Sequence, residues 1–362
     1  MLRWSFYGAL VFCVCVYVFL LIFAWHAEQR ETFAAQDLAP AGGRYVKAAD
    51  VDIFVQEAGP ADGLDVLLIP GIGGWSGTWP QTMAALAEAG FRVVAIDLPP
   101  FGFSQRPETA LYSKQDQAAR ILGVMDTLGI SKAILVAHSS GGGPAVEAAA
   151  QSPQRVPALV LASAELDIAF KGMGRAYPSF MVDRFLAMPS LREGSVAAFM
   201  TNPLFTRDLL KKLSNKPGAV TDAWIALYQQ PLKLKGTTAA VSAWLPQWIA
   251  GSHATRSEDP VTYRRLNIPI HLIWGDLDTT APLEQARELA RAASNSTLKV
   301  IYGAGHLPQM EETQRFNEML LKGLTAIKYD LDNKMAKAVD STEAQVAPPA
   351  AAPASESRRE SK

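Results

Sequence analysis

Short apolar runs alternate with helical patterns along most of this chain. Runs of this kind are typical of strands buried on both faces of a parallel sheet; they lie at 64–69, 92–96, 133–137, 156–162, 268–274 and 298–302, after a further strand pattern at 44–57. Apolar residues at helical spacing fall between them, at 80–89, 113–128, 283–293 and 311–327. The alternation predicts an α/β fold with a mainly parallel sheet and helices on both faces.

The pattern changes between residues 167 and 257. Strand-like runs disappear there, and short helical segments rich in Phe, Met, Trp and Leu are separated by prolines. A proline inside a helix removes a backbone hydrogen bond, so these segments stay short. We expect 167–257 to be a helical cap inserted over the sheet, within a main domain that covers residues 44–330.

The N-terminal region is apolar and uncharged. Residues 4–25 contain no charged side chain, and Trp4, Tyr7 and Trp25 lie toward its ends. A helix of about 20 such residues crosses a hydrocarbon core roughly 30 Å thick. We expect a transmembrane anchor at 4–25 and not a cleaved signal peptide, whose apolar stretch usually has ~7 to 15 residues. A polar, alanine-rich linker is predicted to follow at 28–43.

The charges that flank the apolar stretch indicate an orientation. Arg3 and the α-amino group precede it, whereas Glu28, Arg30 and Glu31 follow it. Because positive charge is enriched on the cytoplasmic side of membrane helices, we expect a single-pass protein with a cytoplasmic N-terminus. The main domain would then lie outside the cytoplasm.

Composition narrows the classes of function. The formal net charge is -1, which argues against a nucleic-acid-binding surface. The chain has two cysteines, Cys13 and Cys15, both in the apolar N-terminal run, so the main domain has neither a disulfide nor a thiolate metal site. Residues 340–362 are rich in Ala, Pro, Ser, Glu and Arg, and we expect a disordered tail there because such a composition buries little apolar surface.

One stretch has the order of a nucleophile elbow, in which a serine lies on a sharp turn between a strand and a helix. In AILVAHSSGGGPAVE, an apolar strand leads into two serines and three glycines, and an alanine-rich helix follows. Strand and helix approach closely here, so the residues two places on either side of the nucleophile must be small. Ser139 has Ala137 and Gly141 at these places, whereas Ser140 would have His138. Ser139 is therefore the predicted nucleophile.

A serine needs a base to take its proton, and elimination among the five histidines gives a candidate. His306 lies in the loop GAGHLP, directly after a predicted strand, where sites in open α/β sheets are built. The other histidines have simpler interpretations: His26 lies at the membrane edge, His138 neighbours the serine, His253 ends the cap and His271 lies inside an apolar strand. His306 is the predicted base.

The acid that orients the histidine should come from another strand end, between the serine and the histidine in sequence. The segment IHLIWGDLD offers Asp276 and Asp278. Asp278 lies deeper in the loop and is preferred, whereas Asp276 would hold that loop through local hydrogen bonds. Asp167, after an earlier strand, is an alternative position for the acid.

A tetrahedral oxyanion needs two backbone N–H donors. The N–H of Ser140, at the start of the helix after the nucleophile, is one candidate because the helix dipole favours negative charge there. The glycine-rich loop after the strand 64–69 supplies the other, and Ile72 is the predicted donor.

Together these motifs resemble the α/β-hydrolase superfamily. The resemblance rests on Pro70-Gly71, the segment DLPPFGFS at 97–104, the elbow AHSSGG, the segment WGDLD at 274–278, and Gly305-His306 followed by Pro308. Members usually carry His-Gly where Pro70-Gly71 stands, and glycine where Ala137 stands. A serine nucleophile distinguishes the chain from the related haloalkane dehalogenases and epoxide hydrolases, which use an aspartate.

The resemblance implies a serine hydrolase with the triad Ser139, Asp278 and His306, and with no metal or organic cofactor. We expect a membrane-anchored enzyme that cleaves esters of hydrophobic acyl groups, including lipids, and that binds no nucleic acid. The aromatic residues of the cap suggest such a substrate, although we expect more than half of them simply to pack the cap onto the core. These aromatic residues are Phe170, Phe180, Phe185, Phe199, Phe205, Trp224, Trp244 and Trp248.

Other functions stay open at this point. A carbon–carbon bond hydrolase of ring-fission diketones would use the same triad, and Arg175 and Arg184 in the cap would support it if they faced an acidic substrate. A receptor or scaffold with a hydrolase-like domain is a further alternative, which an intact triad argues against. Substrate chain length and oligomeric state are left open.

Overall fold

The computed structural model of the protein describes residues 2–166, 168, 180–216, 218–250 and 255–346. Its centre is an eight-stranded sheet in the order β1-β2-β4-β3-β5-β6-β7-β8. The strands are β1 (Gly43–Ala48), β2 (Val51–Ala58), β3 (Leu64–Ile69), β4 (Phe91–Ile96), β5 (Ile134–His138), β6 (Leu159–Ala162), β7 (Ile270–Gly275) and β8 (Ser296–Ile301). All pairs from β4 to β8 are parallel, and β1–β2 and β2–β4 are antiparallel. The α/β fold predicted from the sequence is confirmed.

The first strand pattern, at 44–57, forms a hairpin of two strands. β1 and β2 are joined at Ala49 and Asp50, and Ala49 has a φ of 54°. Neither residue is a glycine or asparagine, the usual signal for such a tight turn, so the sequence showed one strand region where there are two. Arg120, which is buried, donates to both carboxylate oxygens of Asp50, at 2.8 and 2.6 Å, and ties the turn to the domain.

Helices pack against the strands and share their core. Those of the main domain are α3 (Pro80–Glu88), α4 (Lys114–Thr127), α5 (Gly142–Gln151), α11 (Pro260–Arg265), α12 (Leu283–Ala292), α13 (Pro308–Glu311) and α14 (Thr313–Val346), and they follow α1 (Leu2–Arg30) and α2 (Ala35–Leu38). Apolar side chains from α4, α5 and α12 join those of the strands in one buried cluster. This core fixes the strand ends from which the site is built.

The described part of the predicted cap lies between β6 and β7 and is made mostly of short helices joined by loops. It contains α6 (Phe180–Leu186), α7 (Pro189–Ser195), a π-helix at Val196–Met200, α8 (Thr206–Leu213), α9 (Asp222–Gln229) and α10 (Thr237–Ala250). Pro246 lies inside α10. Four residues that were considered in the sequence lie outside the described part of the chain: Asp167, Phe170, Arg175 and His253.

The stretch predicted as a linker is packed against the cap. Glu31 is buried and accepts hydrogen bonds from the backbone N–H and the hydroxyl of Thr238, in α10. Phe33 forms a parallel bridge with Leu234, and α2 follows. A polar and alanine-rich composition gave no sign of these partners, because they come from a distant part of the chain.

The chain divides into two compact units, residues 1–321 and 322–362. The sheet, the cap and α1 belong to the first. The second is helical as far as Val346, the last residue of α14. Residues 340–346, the first part of the predicted tail, are therefore helical. They contain no proline, whereas Pro348 and Pro349, which follow, are unfavourable inside a helix. Residues 347–362 lie outside the described part of the chain.

Candidate active site

Ser139 lies at a sharp reversal between β5 and α5. Its φ is 51°, in the left-handed region that side chains other than glycine rarely adopt, and Ser140 beside it is not in that region. Close backbone contacts surround it: a Cβ atom at Gly141 would lie 2.6 Å from the carbonyl oxygen of Pro70, and one at Gly71 would lie 2.6 Å from Cβ of Ser139. Of the two serines in the motif, Ser139 is thus the one at the turn.

A chain of hydrogen bonds joins Ser139, His306 and Asp278. The hydroxyl of Ser139 donates to Nε2 of His306 at 2.8 Å. Nδ1–H of His306 donates to the carboxylate of Asp278, at 2.9 Å to Oδ2 and 3.1 Å to Oδ1. All three side chains are buried. Such a chain can transfer the serine proton to the imidazole while the carboxylate keeps the ring in the required tautomer.

The two aspartates of the loop after β7 make different contacts. Oδ1 of Asp278 also accepts from the backbone N–H groups of Thr280 and Ala281, at 2.9 and 2.8 Å, which fixes the carboxylate toward His306. Asp276 instead accepts from the N–H of Gly303 at 2.6 Å, at the surface. Asp276 therefore ties together the loops after β7 and β8.

His138, the neighbour of the serine, lies close to His306 without joining the chain. Its Nε2–H donates to the backbone carbonyl of His306 at 2.7 Å, and the two ring centroids are 5.2 Å apart. Burial, together with the neighbouring His306, lowers the pKa of His138 to about 3. The ring therefore stays neutral at physiological pH and supports the loop that carries His306.

Glu311 holds the same loop, and the sequence reasoning did not identify it. Its carboxylate is buried and accepts three backbone N–H groups: Oε2 those of Gly305 and Asn215, at 3.0 and 2.9 Å, and Oε1 that of Leu307, at 3.0 Å. These bonds fix the backbone on both sides of His306. The sequence contains one indication of this role, because Glu311 is a carboxylate five residues after His306, in the first turn of α13.

Asp97, from the DLPPFGFS segment, plays a similar part in the loops after β3 and β4. Its carboxylate accepts the backbone N–H groups of Ser76, at 2.6 Å, and Phe103, at 2.7 Å. Burial raises the pKa of Asp97 to about 6, although these hydrogen bonds favour the charged form. Asp97 therefore connects the loops that follow β3 and β4.

Ser139 and His306 face a cavity of about 320 Å³. Ile72, predicted as an oxyanion donor, lines it as well, whereas Ser140 lines a smaller adjoining pocket. Most of the other lining side chains are apolar: Phe101, Phe199, Met200, Leu209, Leu210, Leu213, Tyr228, Leu232, Val241, Trp248 and Leu307. The arrangement suits a substrate with a substantial hydrophobic part.

Charged side chains are few among the described residues that line this cavity. They are Arg106 and Glu165. The terminal nitrogens of Arg106 donate to the carbonyls of Ser104 and Gly102 and to the hydroxyl of Thr237, whereas its buried Nε–H has no partner in the described part of the chain. Within the described part of the chain, no cluster of three or more His, Cys, Asp or Glu side chains could hold a metal ion.

Comparison with known proteins gives the family. The family model for the alpha/beta hydrolase fold matches residues 66–313. The chain belongs to the α/β-hydrolase family. A 2-hydroxy-6-oxononadienedioate/2-hydroxy-6-oxononatrienedioate hydrolase from Paraburkholderia phymatum is 33% identical to it over 70% of this chain and 82% of the relative.

Solved structures agree on the fold. The crystal structure of a meta-cleavage product hydrolase matches this α/β-hydrolase with a TM-score of 0.64 and 27% identity, over 78% of this chain and 98% of the other. A membrane phospholipase A matches with the same TM-score and 20% identity, over 91% of this chain and 99% of the other, which shows a shared fold. The protein is therefore a hydrolase by family.

Replacing Glu311 tests its role in positioning His306. Glu311→Gln keeps the size but presents an N–H₂ group to one of the three backbone donors, so we expect about 1–3 kcal/mol of lost stability. Displacement of the imidazole should lower kcat by roughly 10- to 100-fold. Urea unfolding and ester hydrolysis measure the two effects.

Glu312→Gln is the matched control, because Glu312 lies at the surface and pairs with Lys216. It should leave both quantities unchanged. Wild-type activity in Glu311→Gln would show that the three hydrogen bonds do not position His306.

The low pKa of His138 predicts a pH dependence of stability. Between about pH 6.5 and pH 3 the unfolded chain binds a proton at this residue that the folded chain does not, so stability falls as pH falls through this window. From pH 6.5 to pH 5 the loss amounts to about 2 kcal/mol. His138→Gln retains an N–H donor without a titrating group, and thermal unfolding should show a weaker decline. An equal decline in both proteins would contradict the assignment.

Proposed function

We propose that this protein is a membrane-anchored serine hydrolase that cleaves carboxylic esters of hydrophobic acyl groups. The observation that carries the proposal is the hydrogen-bonded chain of Ser139, His306 and Asp278, which opens on a largely apolar cavity. The three side chains come from the ends of β5, β8 and β7, on the same edge of the parallel sheet. This edge is where α/β folds build their sites.

In the proposed reaction, Oγ of Ser139 attacks the acyl carbonyl while Nε2 of His306 takes its proton. Asp278 stabilises the imidazolium that forms, and the tetrahedral intermediate collapses when His306 gives the proton to the leaving alcohol. Water then attacks the acyl-enzyme, with His306 again as the base, and releases the carboxylic acid and the free serine. The backbone N–H groups of Ile72 and Ser140 would stabilise the oxyanion; losing one such donor typically costs about 2.7–4 kcal/mol.

Ester cleavage is favoured over carbon–carbon cleavage by the charge of the cavity. A dioate of the kind named for the Paraburkholderia phymatum relative carries two carboxylates, and each would need a cation or several donors. Arg106 is the cationic side chain among the described lining residues, and its terminal nitrogens already bind this chain's own oxygens. Arg184 lies over the ring of Phe180, at 5.8 Å from its centroid.

The second candidate is hydrolysis of a carbon–carbon bond in a ring-fission diketone. The relatives favour it: besides the protein above, a 2-hydroxymuconate semialdehyde hydrolase from Pseudomonas is 30% identical over 78% of this chain. A substrate with one carboxylate would need fewer cations or hydrogen-bond donors in the cavity than a dioate. The same Ser139 and His306 would act in that reaction, so substrate tests and not active-site variants separate the two.

The anchor is proposed from the surface of α1. Tyr7–Arg30 is long and apolar enough to cross a membrane, and little of its most apolar window is covered by the rest of the protein. An uncovered apolar helix of this length is costly in water and stable in a bilayer. With Arg3 before it and Glu28 and Glu31 after it, we place the N-terminus in the cytoplasm and the catalytic domain outside.

A fluorophosphonate probe tests the nucleophile, with the full chain in detergent micelles. Wild-type protein and Ser140→Ala should be labelled, and Ser139→Ala should not. Hydrolysis of p-nitrophenyl esters should increase from acetate toward longer acyl chains, and Ser139→Ala should lower kcat by at least about 10⁴-fold. Ring-fission dienoates with one or two carboxylates serve as the competing substrates.

Three results would contradict the proposal. Labelling that survives in Ser139→Ala would exclude Ser139 as the nucleophile. A wild-type protein that neither labels nor hydrolyses any ester would exclude the esterase. A kcat/KM for a dienoate well above that for every ester would establish the second candidate.

Orientation is testable because both cysteines lie in α1. Ser131 is exposed before β5, at the opposite edge of the sheet from the site. In a Cys13→Ser/Cys15→Ser background, Ser131→Cys should react with a membrane-impermeant maleimide on intact cells. Reaction only after lysis would reverse the proposed orientation.

A further inference from the structure

Exposed apolar side chains are concentrated in one part of the cap. Phe180, Met181 and Leu204 are 75%, 80% and 81% exposed, and Met188, Phe199, Phe205 and Leu209 are exposed as well. They all lie between residues 180 and 209, and we call them the apolar patch. The rings of Phe199 and Phe205 are in contact, with centroids 6.3 Å apart. So many exposed apolar side chains in one short segment are unusual on a soluble surface, and large exposed apolar areas mark protein or membrane contacts.

The apolar patch belongs to the segment that packs against α1. α1 contacts α7 and the π-helix at Val196–Met200. The contact is tight at Leu20, which is buried: a Cβ atom at Gly194 would lie 2.7 Å from Cβ of Leu20 and 2.8 Å from its carbonyl oxygen. The cap and the helix are therefore in direct contact at this point.

The position of that contact along α1 determines how deep the cap would lie in the membrane. Leu20 precedes Trp25, the end of the uncharged run, by a little more than one helical turn, or about 8 Å along the axis. If residues 4–25 cross the hydrocarbon core, Leu20 lies inside that core near its end, and the cap residues that touch Leu20 lie at the same depth in the leaflet. Apolar side chains exposed beside them would then contact lipid and not water.

The apolar patch also reaches the substrate cavity. Phe199 and Leu209 are exposed on the outside and line the cavity that contains Ser139 and His306. They therefore lie at its rim. Lys211 and Lys212 are exposed in the last turn of α8, the helix that also carries Leu209.

We propose that the apolar patch inserts into the membrane leaflet in which the C-terminal part of α1 lies, so that the cavity receives its substrate from the bilayer. The inference rests on the proposed membrane anchor and ester hydrolysis, and it adds the surface that binds lipid. Apolar burial at an interface is favourable in proportion to the area removed from water. The substrate class that follows is an acyl ester resident in the membrane, with its acyl chain entering past Phe199 and Leu209.

Depth-dependent fluorescence quenching tests the insertion directly. Leu204→Cys, in the background without Cys13 and Cys15, is labelled with nitrobenzoxadiazole and reconstituted as the full chain in vesicles of phosphatidylcholine and phosphatidylglycerol. A lipid spin label near the headgroup should quench this fluorophore strongly. Ser131→Cys, at the opposite edge of the sheet, should be quenched little. Equal quenching at the two positions would overturn the proposal.

A second arm measures function. The triple variant Phe180→Ser, Met181→Ser and Leu204→Ser changes residues that do not line the described cavity. It should hydrolyse soluble p-nitrophenyl butyrate at the wild-type rate and lose about tenfold in rate toward an acyl ester carried in vesicles. Equal rates on vesicles, or an equal loss on both substrates, would count against the proposal.

The two arms separate failure of this inference from failure of the proposed function. If the wild type cleaves no ester, quenching at Leu204→Cys still decides whether the apolar patch meets lipid. If the fluorophore is instead shielded without lipid, in a manner that depends on protein concentration, a second copy of the chain covers the patch and the proposal is wrong.

Discussion

The close approach of β5, α5 and the loop after β3 is the constraint on which the site depends. Ser139 takes a backbone conformation that costs of order 1–3 kcal/mol for such residues, and the surrounding structure must over-determine it. It does so with backbone on several sides, since no Cβ atom fits at Gly71 or Gly141 without moving a neighbour. As a result, the Ser139 hydroxyl faces the cavity at the edge of the sheet and donates to the imidazole of His306.

Buried carboxylates then hold the loops that bring the other residues to the serine. Asp278, Glu311 and Asp97 each accept backbone N–H groups from loops at this edge of the sheet. Loops carry little apolar burial of their own, so charge-assisted bonds to the backbone are an effective means of fixing them. The site is thus rigid because of polar contacts, although its cavity is mostly apolar.

The cap is connected to the chemistry and to α1 through adjoining residues. The N–H of His306 donates to the carbonyl of Leu213 at 2.8 Å, and Asn215 shares the carboxylate of Glu311 with Gly305. A short way back along the chain, α7 and the π-helix pack on α1. The cap therefore touches both α1 and the loop that carries His306.

The sequence by itself determined the α/β fold, the family and the order of the motifs, because strands, turns and helices leave periodic patterns and the elbow requires small residues at defined places. It also singled out Ser139, Asp278 and His306, since each follows a strand that ends at the same edge of the sheet. Only the tertiary structure decided the rest. The turn at Ala49, the carboxylate of Glu311 and the packing of Glu31 on Thr238 depend on partners that are distant in sequence, and local composition carries no record of such partners. The exposure of the apolar patch was also decided by the tertiary structure, because the sequence of a helical cap does not show which of its apolar residues are buried and which are exposed.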